Sequence, residues 1–200
     1  MRNIVLIILL SIVLPLTLDA RRNGQGFYIG LGSGGSYYKD DGLAKDIGAD
    51  MSTVSGSYKL YTGYKYDHQF SLEGSFTGYG VYNITGGSAD DRLDPKSGAV
   101  YLNYGQDFWH NQLRPFVIVG AGLLWLDAKN NAIYDEEIFF SLHYGLGMEY
   151  NPRWLFGWGA RWAYEADWSR FKTRSDVAGA DGSSYDNFIG TLYIGLHYKF

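Results

Sequence analysis

The sequence predicts an all-β chain in which eight antiparallel strands run up and down and close into one barrel. Three observations predict it. Apolar residues recur with period two through eight segments, the connections between those segments alternate short and long, and the composition suits strands. The chain has 200 residues, with 27 glycines, four prolines, no cysteine and 18% aromatic residues. With 46% hydrophobic and 19% charged residues, it can bury a core, which excludes a polar disordered chain. The absence of cysteine excludes a disulfide scaffold and thiolate metal sites. The four histidines (His68, His110, His143 and His197) show no metal-ligand spacing, so no metal and no cofactor are expected. A net charge of −4 argues against nucleic acid as the partner, because that needs a basic stripe.

Residues 1–20, MRNIVLIILLSIVLPLTLDA, read as a secretory signal peptide. Arg2 precedes an apolar run over residues 4–14, then Pro15 and small or polar residues lead to Ala20. The run is shorter than the ~20 residues a spanning helix needs. Cleavage near Ala20 would leave residues 21–200 as a single domain.

Alternation begins with Phe27, Ile29 and Leu31 against Tyr28, Gly30 and Gly32. It continues with Tyr58, Leu60, Thr62 and Tyr64 against Lys59, Tyr61, Gly63 and Lys65, then with Phe70, Leu72, Gly74 and Phe76 against Ser71, Glu73, Ser75 and Thr77. Val100, Leu102 and Tyr104 oppose Tyr101, Asn103 and Gly105. In 115–126, placing Val117, Val119, Ala121, Leu123 and Trp125 on the apolar face puts Gly120 and Gly122 on the other. Ile138, Phe140, Leu142, Tyr144, Leu146, Met148 and Tyr150 oppose a face containing Ser141, His143, Gly145, Gly147 and Glu149. Trp154, Phe156, Trp158, Ala160, Trp162 and Tyr164 oppose Gly157, Gly159, Arg161 and Glu165. The last strand sets Phe188, Leu192, Ile194, Leu196, Tyr198 and Phe200 against Thr191, Tyr193, Gly195, His197 and Lys199. Successive strand side chains point to opposite faces, so each segment has one greasy and one small or polar side.

Short turns are expected at 66–69, 109–112 and 151–153, and long polar links near 39–53, 83–97, 128–136 and 173–187. Strict alternation gathers the long loops at one end of the barrel and both termini at the other. The polar face carries eleven glycines together with Lys59, Lys65, Glu73, Glu149, Arg161, Glu165 and Lys199. Glycines belong where eight strands close on a narrow interior. The apolar face carries Tyr64, Tyr66, Tyr104, Trp109, Tyr150, Trp154, Tyr164, Trp168 and Tyr198, an aromatic girdle of the kind that flanks an apolar band in lipid. The expectation is therefore a transmembrane barrel, greasy outside and polar within.

The chain resembles the small OmpA-like outer-membrane β-barrel proteins of Gram-negative bacteria. The resemblance rests on the leader, on Gly26-Phe27-Tyr28-Ile29-Gly30-Leu31-Gly32, and on Arg114-Pro115-Phe116-Val117 with Gly120-Ala121-Gly122. It rests also on Gly145-Leu146-Gly147-Met148-Glu149-Tyr150 before Asn151-Pro152-Arg153, and on the closing Ile194-Gly195-Leu196-His197-Tyr198-Lys199-Phe200. It implies an outer-membrane location, contact with outer-membrane lipids and lipopolysaccharide, and insertion by the outer-membrane assembly machinery with Phe200 as its signal. It does not extend to the periplasmic peptidoglycan-binding domain that follows the barrel of OmpA.

The inward charges are expected to form ion pairs that plug the lumen, because buried charges are tolerated when paired. A structural or surface-interaction role, through four long extracellular loops that meet an unidentified partner, follows from that. Two alternatives stand beside it: a narrow porin-like channel lined by the same groups, and a lipid-modifying hydrolase built on Ser141 and His143. Those two residues lie i, i+2 on one strand, about 6.5–7 Å apart by strand rise, which is long for a nucleophile and its base. The acidic pairs and runs at 40–41, 90–91 and 135–137 read as solvated loops. Arg114 and Arg153, near the short turns, are expected at lipid headgroups.

Overall fold

The computed structural model describes residues 25–40, 46, 50–53, 56–85, 91–127, 138–173 and 183–200. The expected signal peptide and parts of the four long links lie outside these residues. The strands are β1 (Gly26–Asp40), β2 (Asp50–Thr53), β3 (Ser57–Lys65), β4 (Phe70–Gly78), β5 (Tyr82–Thr85), β6 (Asp91–Leu93), β7 (Lys96–Gly105), β8 (Leu113–Trp125), β9 (Ile138–Tyr150), β10 (Trp158–Lys172) and β11 (Ser184–Lys199). Eight of them close a barrel in the order β1-β11-β10-β9-β8-β7-β4-β3. Every neighbouring pair is antiparallel.

The register fixes the geometry of closure. Stepping across paired residues from Gly26 leads through Lys65, Ser71, Asn103, Ile118, Gly145, Glu165 and Thr191 to Ser36. The circuit returns to β1 ten residues (36 − 26) further on. Ten residues at ~3.3 Å, over eight strand spacings of ~4.8 Å, tilt the strands by roughly 40° from the barrel axis. No edge strand remains in the barrel, so its backbone groups pair within the wall, as lipid requires.

The sequence alternation is the barrel's inside-out alternation. Leu31, Val100, Val119, Phe140, Leu146, Leu192, Ile194 and Leu196 are exposed on the outer face, while Tyr61, Tyr101, Tyr193, Arg161 and Glu165 are buried inside. In 115–126, Val117, Val119 and Leu123 do face outward. The inner glycines are seats for tyrosines. A Cβ at Gly30 would stand 2.3 Å from the Tyr61 ring, and one at Gly120 would stand 2.4 Å from the Tyr101 Cβ.

Three expectations are corrected. The links near 39–53 and 83–97 are not wholly irregular: β1 runs to Asp40, and β2, β5 and β6 form a separate three-stranded sheet at the loop end. The last link is also shorter, because β11 begins at Ser184. Trp154 and Phe156 are not strand residues. Pro152 has no N–H to donate to a ladder, and the chain instead makes a 3-10 turn over Arg153–Leu155 with Phe156 left-handed (φ 46°) before β10 starts at Trp158.

Candidate functional site

Inside the barrel the polar groups gather at two levels. The first lies nearer the termini and centres on Arg161 of β10. Register sets Arg161 opposite Glu149 of β9, and Glu149 is also opposite Arg114 of β8. Arg161 donates through Nη1 and Nη2 to the two oxygens of Glu73, at 2.7 and 3.0 Å, and through Nη2 to Glu149 at 2.5 Å. Asn103 donates to Glu73 as well. The guanidinium lies 4.3 Å from the centre of the Tyr61 ring and 4.8 Å from that of Phe116. Arg114 donates to Glu149 at 3.4 Å and to the Gln69 carbonyl at 2.8 Å. Such a pair persists away from water only because each charge is answered; removing one partner costs about 3–5 kcal/mol.

The second level lies toward the loops. Lys59 of β3 meets Glu165 of β10 at 2.5 Å, and Tyr193 donates to the same carboxylate at 2.6 Å. His143 of β9 stands between two carboxylates, with Nε2 3.1 Å from Glu165 and Nδ1 3.0 Å from Asp167. Ser141 donates to Asp167 at 3.0 Å, and Tyr79 donates to it from the loop side. Above this level Tyr79, Tyr82, Leu93, Leu126, Phe171 and Tyr185 are buried. They form a largely aromatic lid at the loop end, to which the β2–β5–β6 sheet contributes Tyr82 and Leu93. Tyr82 donates to Ser36 at 2.6 Å, and Ser36 donates to the Tyr79 carbonyl.

The terminal end is different. A water-accessible vestibule of about 820 Å³ opens there, lined by Lys65, Asp107, Arg114, Glu149, His197 and Lys199 among others. Lys65 reaches Asp107 at 3.5 Å, and Lys199 borders the vestibule half-buried. In the first short turn Asp67 accepts from the N–H groups of Phe70 and Gln69, at 2.7 Å each. Those bonds hold its carboxyl below the usual aspartate range.

Ser141 and His143 are brought into one cluster, but not as nucleophile and base. Ser141 is fully buried and bonded to Asp167, and both nitrogens of His143 already face carboxylates. A serine nucleophile needs a ring nitrogen free to take its proton and an approach for substrate. Among the described residues no group of three or more His, Asp or Glu side chains could hold a metal ion.

Of the girdle residues, Tyr64, Tyr104, Trp109, Tyr150, Trp154 and Tyr198 lie toward the short turns, and Trp168 lies toward the loops. Tyr164 sits elsewhere. It is opposite Leu146 and Leu192, within the apolar band and packed over Gly190. Arg114 is likewise not at the headgroups: it is 1% exposed inside the lumen, because residue 114 shares the inward parity of Phe116 and Ile118. Arg153 is exposed at the short-turn end, where it donates to the His110 carbonyl at 3.0 Å. The sequence expectations leave Asp167 and Asp107 unplaced and set Asn103 on the polar face without a partner. Asp167 shares the inward parity of Arg161 and Glu165, which was the available signal.

The chain aligns with Ail, the attachment invasion locus protein of Yersinia pestis, at a TM-score of 0.51 and 17% identity, covering 88% of this chain and 99% of that one. It aligns with the outer membrane protein OprG of Pseudomonas aeruginosa at a TM-score of 0.53 and 12% identity, covering 86% and 96%. These likenesses concern the fold. The comparison with curated proteins gave no match. The family model for the outer membrane protein beta-barrel domain matches residues 6–200, and the chain belongs to that family of outer-membrane proteins.

Proposed function

We propose that this protein is a sealed, non-enzymatic barrel of the outer membrane that displays a recognition surface on its loops. In this reading residues 1–20 are an export signal removed near Ala20, the short turns and both termini face the periplasm, and the loop end with the β2–β5–β6 sheet faces outward. Phe200 is the signal read by the assembly machinery. The observation that carries the reading is the filled lumen: two levels of interlocked charge lie beneath a buried aromatic lid. An eight-stranded barrel has room for side chains and little else. The residues spent on filling it leave the loops as the surface free to vary and bind. The occupied nitrogens of His143 support the absence of hydrolase chemistry at Ser141.

The cysteine-free chain makes orientation testable. Ser183→Cys at the loop end should be labelled on intact cells by a membrane-impermeant maleimide, and Asn111→Cys at a short turn only after lysis. The reverse pattern overturns the topology. In planar bilayers the wild type should give no discrete conductance steps. Steady channels that survive repeated purification would favour the porin-like alternative instead.

A further inference from the structure

The vestibule at the terminal end has a charge pattern of its own. Among the described residues four cations line it, Lys65, Arg114, Arg153 and Lys199, against three carboxylates, Asp67, Asp107 and Glu149. Two of those carboxylates are engaged elsewhere. Glu149 is held by Arg161 at 2.5 Å and by Arg114 at 3.4 Å, and Asp67 accepts two N–H groups of its own turn. Behind the floor Arg161 and Glu73 answer each other. Of the two histidines in the lining, His197 faces Asn151 and Tyr61. Asp107 is the remaining carboxylate, and Lys65, Arg114 and His68 all approach it.

Asp107 fits that position poorly. Its Oδ1 lies 3.5 Å from Lys65 Nζ and 3.9 Å from Arg114 Nε, while Oδ2 meets His68 at 3.0 Å. The first two distances are long beside the about 2.7–2.9 Å of a well-formed bond between charged groups. Arg114 is 1% exposed, and its Nε has no hydrogen-bond partner. That nitrogen is set in place by the wall. A Cβ at Gly105 would stand 2.8 Å from it, so the bare backbone of Gly105 leaves room for the guanidinium. Asp107, by contrast, lies past the end of β7 in the connection to β8. A fixed cationic seat is thus filled loosely by a carboxylate on a turn.

We infer that the vestibule binds a small organic oxyanion, a carboxylate or phosphate on a body of metabolite size, and that Asp107 is its built-in competitor. The incoming oxyanion bonds Lys65 Nζ and Arg114 Nε, and Asp107 swings aside with its turn. Lys199, in the same lining, adds to the attraction. The vestibule, at about 820 Å³, falls within the roughly 300–1,000 Å³ of small-molecule sites, far more than a bare phosphate fills. Tyr28 and Trp158 line it beside the charges, which suits an organic body. The site goes beyond the recognition surface proposed for the loops, because it lies at the opposite end of the barrel. The proposed orientation opens it to the periplasm.

The test uses the folded protein in a non-ionic sugar detergent, which supplies no competing phosphate. Phenyl phosphate and phenylacetate are titrated separately, and the Trp158 indole resonance is followed by NMR. Saturable binding of either supports the site, and the tighter of the two names the oxyanion. Phenol, with the same ring and no charge at neutral pH, should not saturate. Lys65→Gln should weaken binding roughly 10-fold, whereas Asp107→Asn should tighten it about 5-fold. The opposite signs are the signature, since a general loosening of the short-turn end would weaken both. Affinity should fall with added salt, and Lys96→Gln at the loop end should bind like the wild type. No saturation by either probe, equal saturation by phenol, or unchanged or weaker binding by Asp107→Asn overturns the inference. Heat-modifiable migration on a gel reports folding, and Asp107→Ser replaces Asp107→Asn if that variant fails the check. Micelles have no sidedness, so failure here strikes the vestibule site alone, whereas the cysteine labels strike the orientation alone.

Discussion

The two charged levels of the lumen differ in what their cations are. Near the termini Arg161 and Arg114 answer Glu73 and Glu149, so two permanent cations face two carboxylates. Near the loops Lys59 and His143 answer Glu165 and Asp167. That set is neutral only when the imidazole carries a proton on each nitrogen, which is the form that can donate to both carboxylates at 3.0 and 3.1 Å. The lower level is therefore an unconditional lock and the upper one a conditional lock, although both are built on the same parity of β9 and β10. The difference teaches that a lumen of paired charges is not uniform in strength. The guanidinium fork binds three carboxylate oxygens at once, whereas the imidazole bridges two groups with one bond each.

The largest expected effect tests the lower level. Arg161→Ala strips Glu73 and Glu149 of their shared cation, and about 3–5 kcal/mol of unfolding free energy should be lost, read as a lower urea midpoint in lipid vesicles. If Arg161→Ala unfolds like the wild type, the arginine is not a lock. A smaller loss separates the upper level. His143→Gln keeps a hydrogen-bond donor but cannot carry charge, and should cost about 1–3 kcal/mol. The same variant should loosen the loop end first, as faster protease nicking near 79–95 where Tyr79 hangs on Asp167. Nicking confined to the short turns would break the comparison.

The smallest effect lies outside both levels. Asp67→Asn in the first short turn weakens the bonds to Phe70 and Gln69. Because the Asp67 carboxyl is held below its usual range, its contribution is present above the unfolded aspartate value of ~3.9 and is lost as pH falls toward the folded value. Variant and wild type should therefore differ slightly at neutral pH and converge in acid, once pH has fallen through the depressed folded value. A gap that persists in acid would assign the effect to turn geometry rather than charge.

Much of this architecture was legible because a barrel wall writes itself in parity. Val117, Val119 and Leu123 could be placed outside by asking where Gly120 and Gly122 had to go, and the Tyr101 contact at Gly120 gives the physical reason. Parity also misleads when a rule about chain position is laid over it. Nearness to a turn points Arg114 to the headgroups, whereas the parity it shares with Phe116 and Ile118 puts it inside. Trp154 and Phe156 kept the alternation but lost the strand, because one proline ended the ladder ahead of them. The upper site was only half visible. Ser141 and His143 announce a familiar chemistry two residues apart, but their geometry is decided by Asp167 on the next strand, and pairing across strands depends on a register that no single segment encodes. The small loop-end sheet was hidden for a related reason: β6 is three residues long, too short for alternation to register.

The ten-residue offset at closure reaches beyond the wall itself. Strand count and offset are both integers, and together they set a backbone cylinder of roughly 8 Å radius. No substitution can dilate it by degrees. Anyone wishing to turn this protein into a conduit must carve out tyrosines and lid residues, or splice in a further hairpin and accept the next whole-number size.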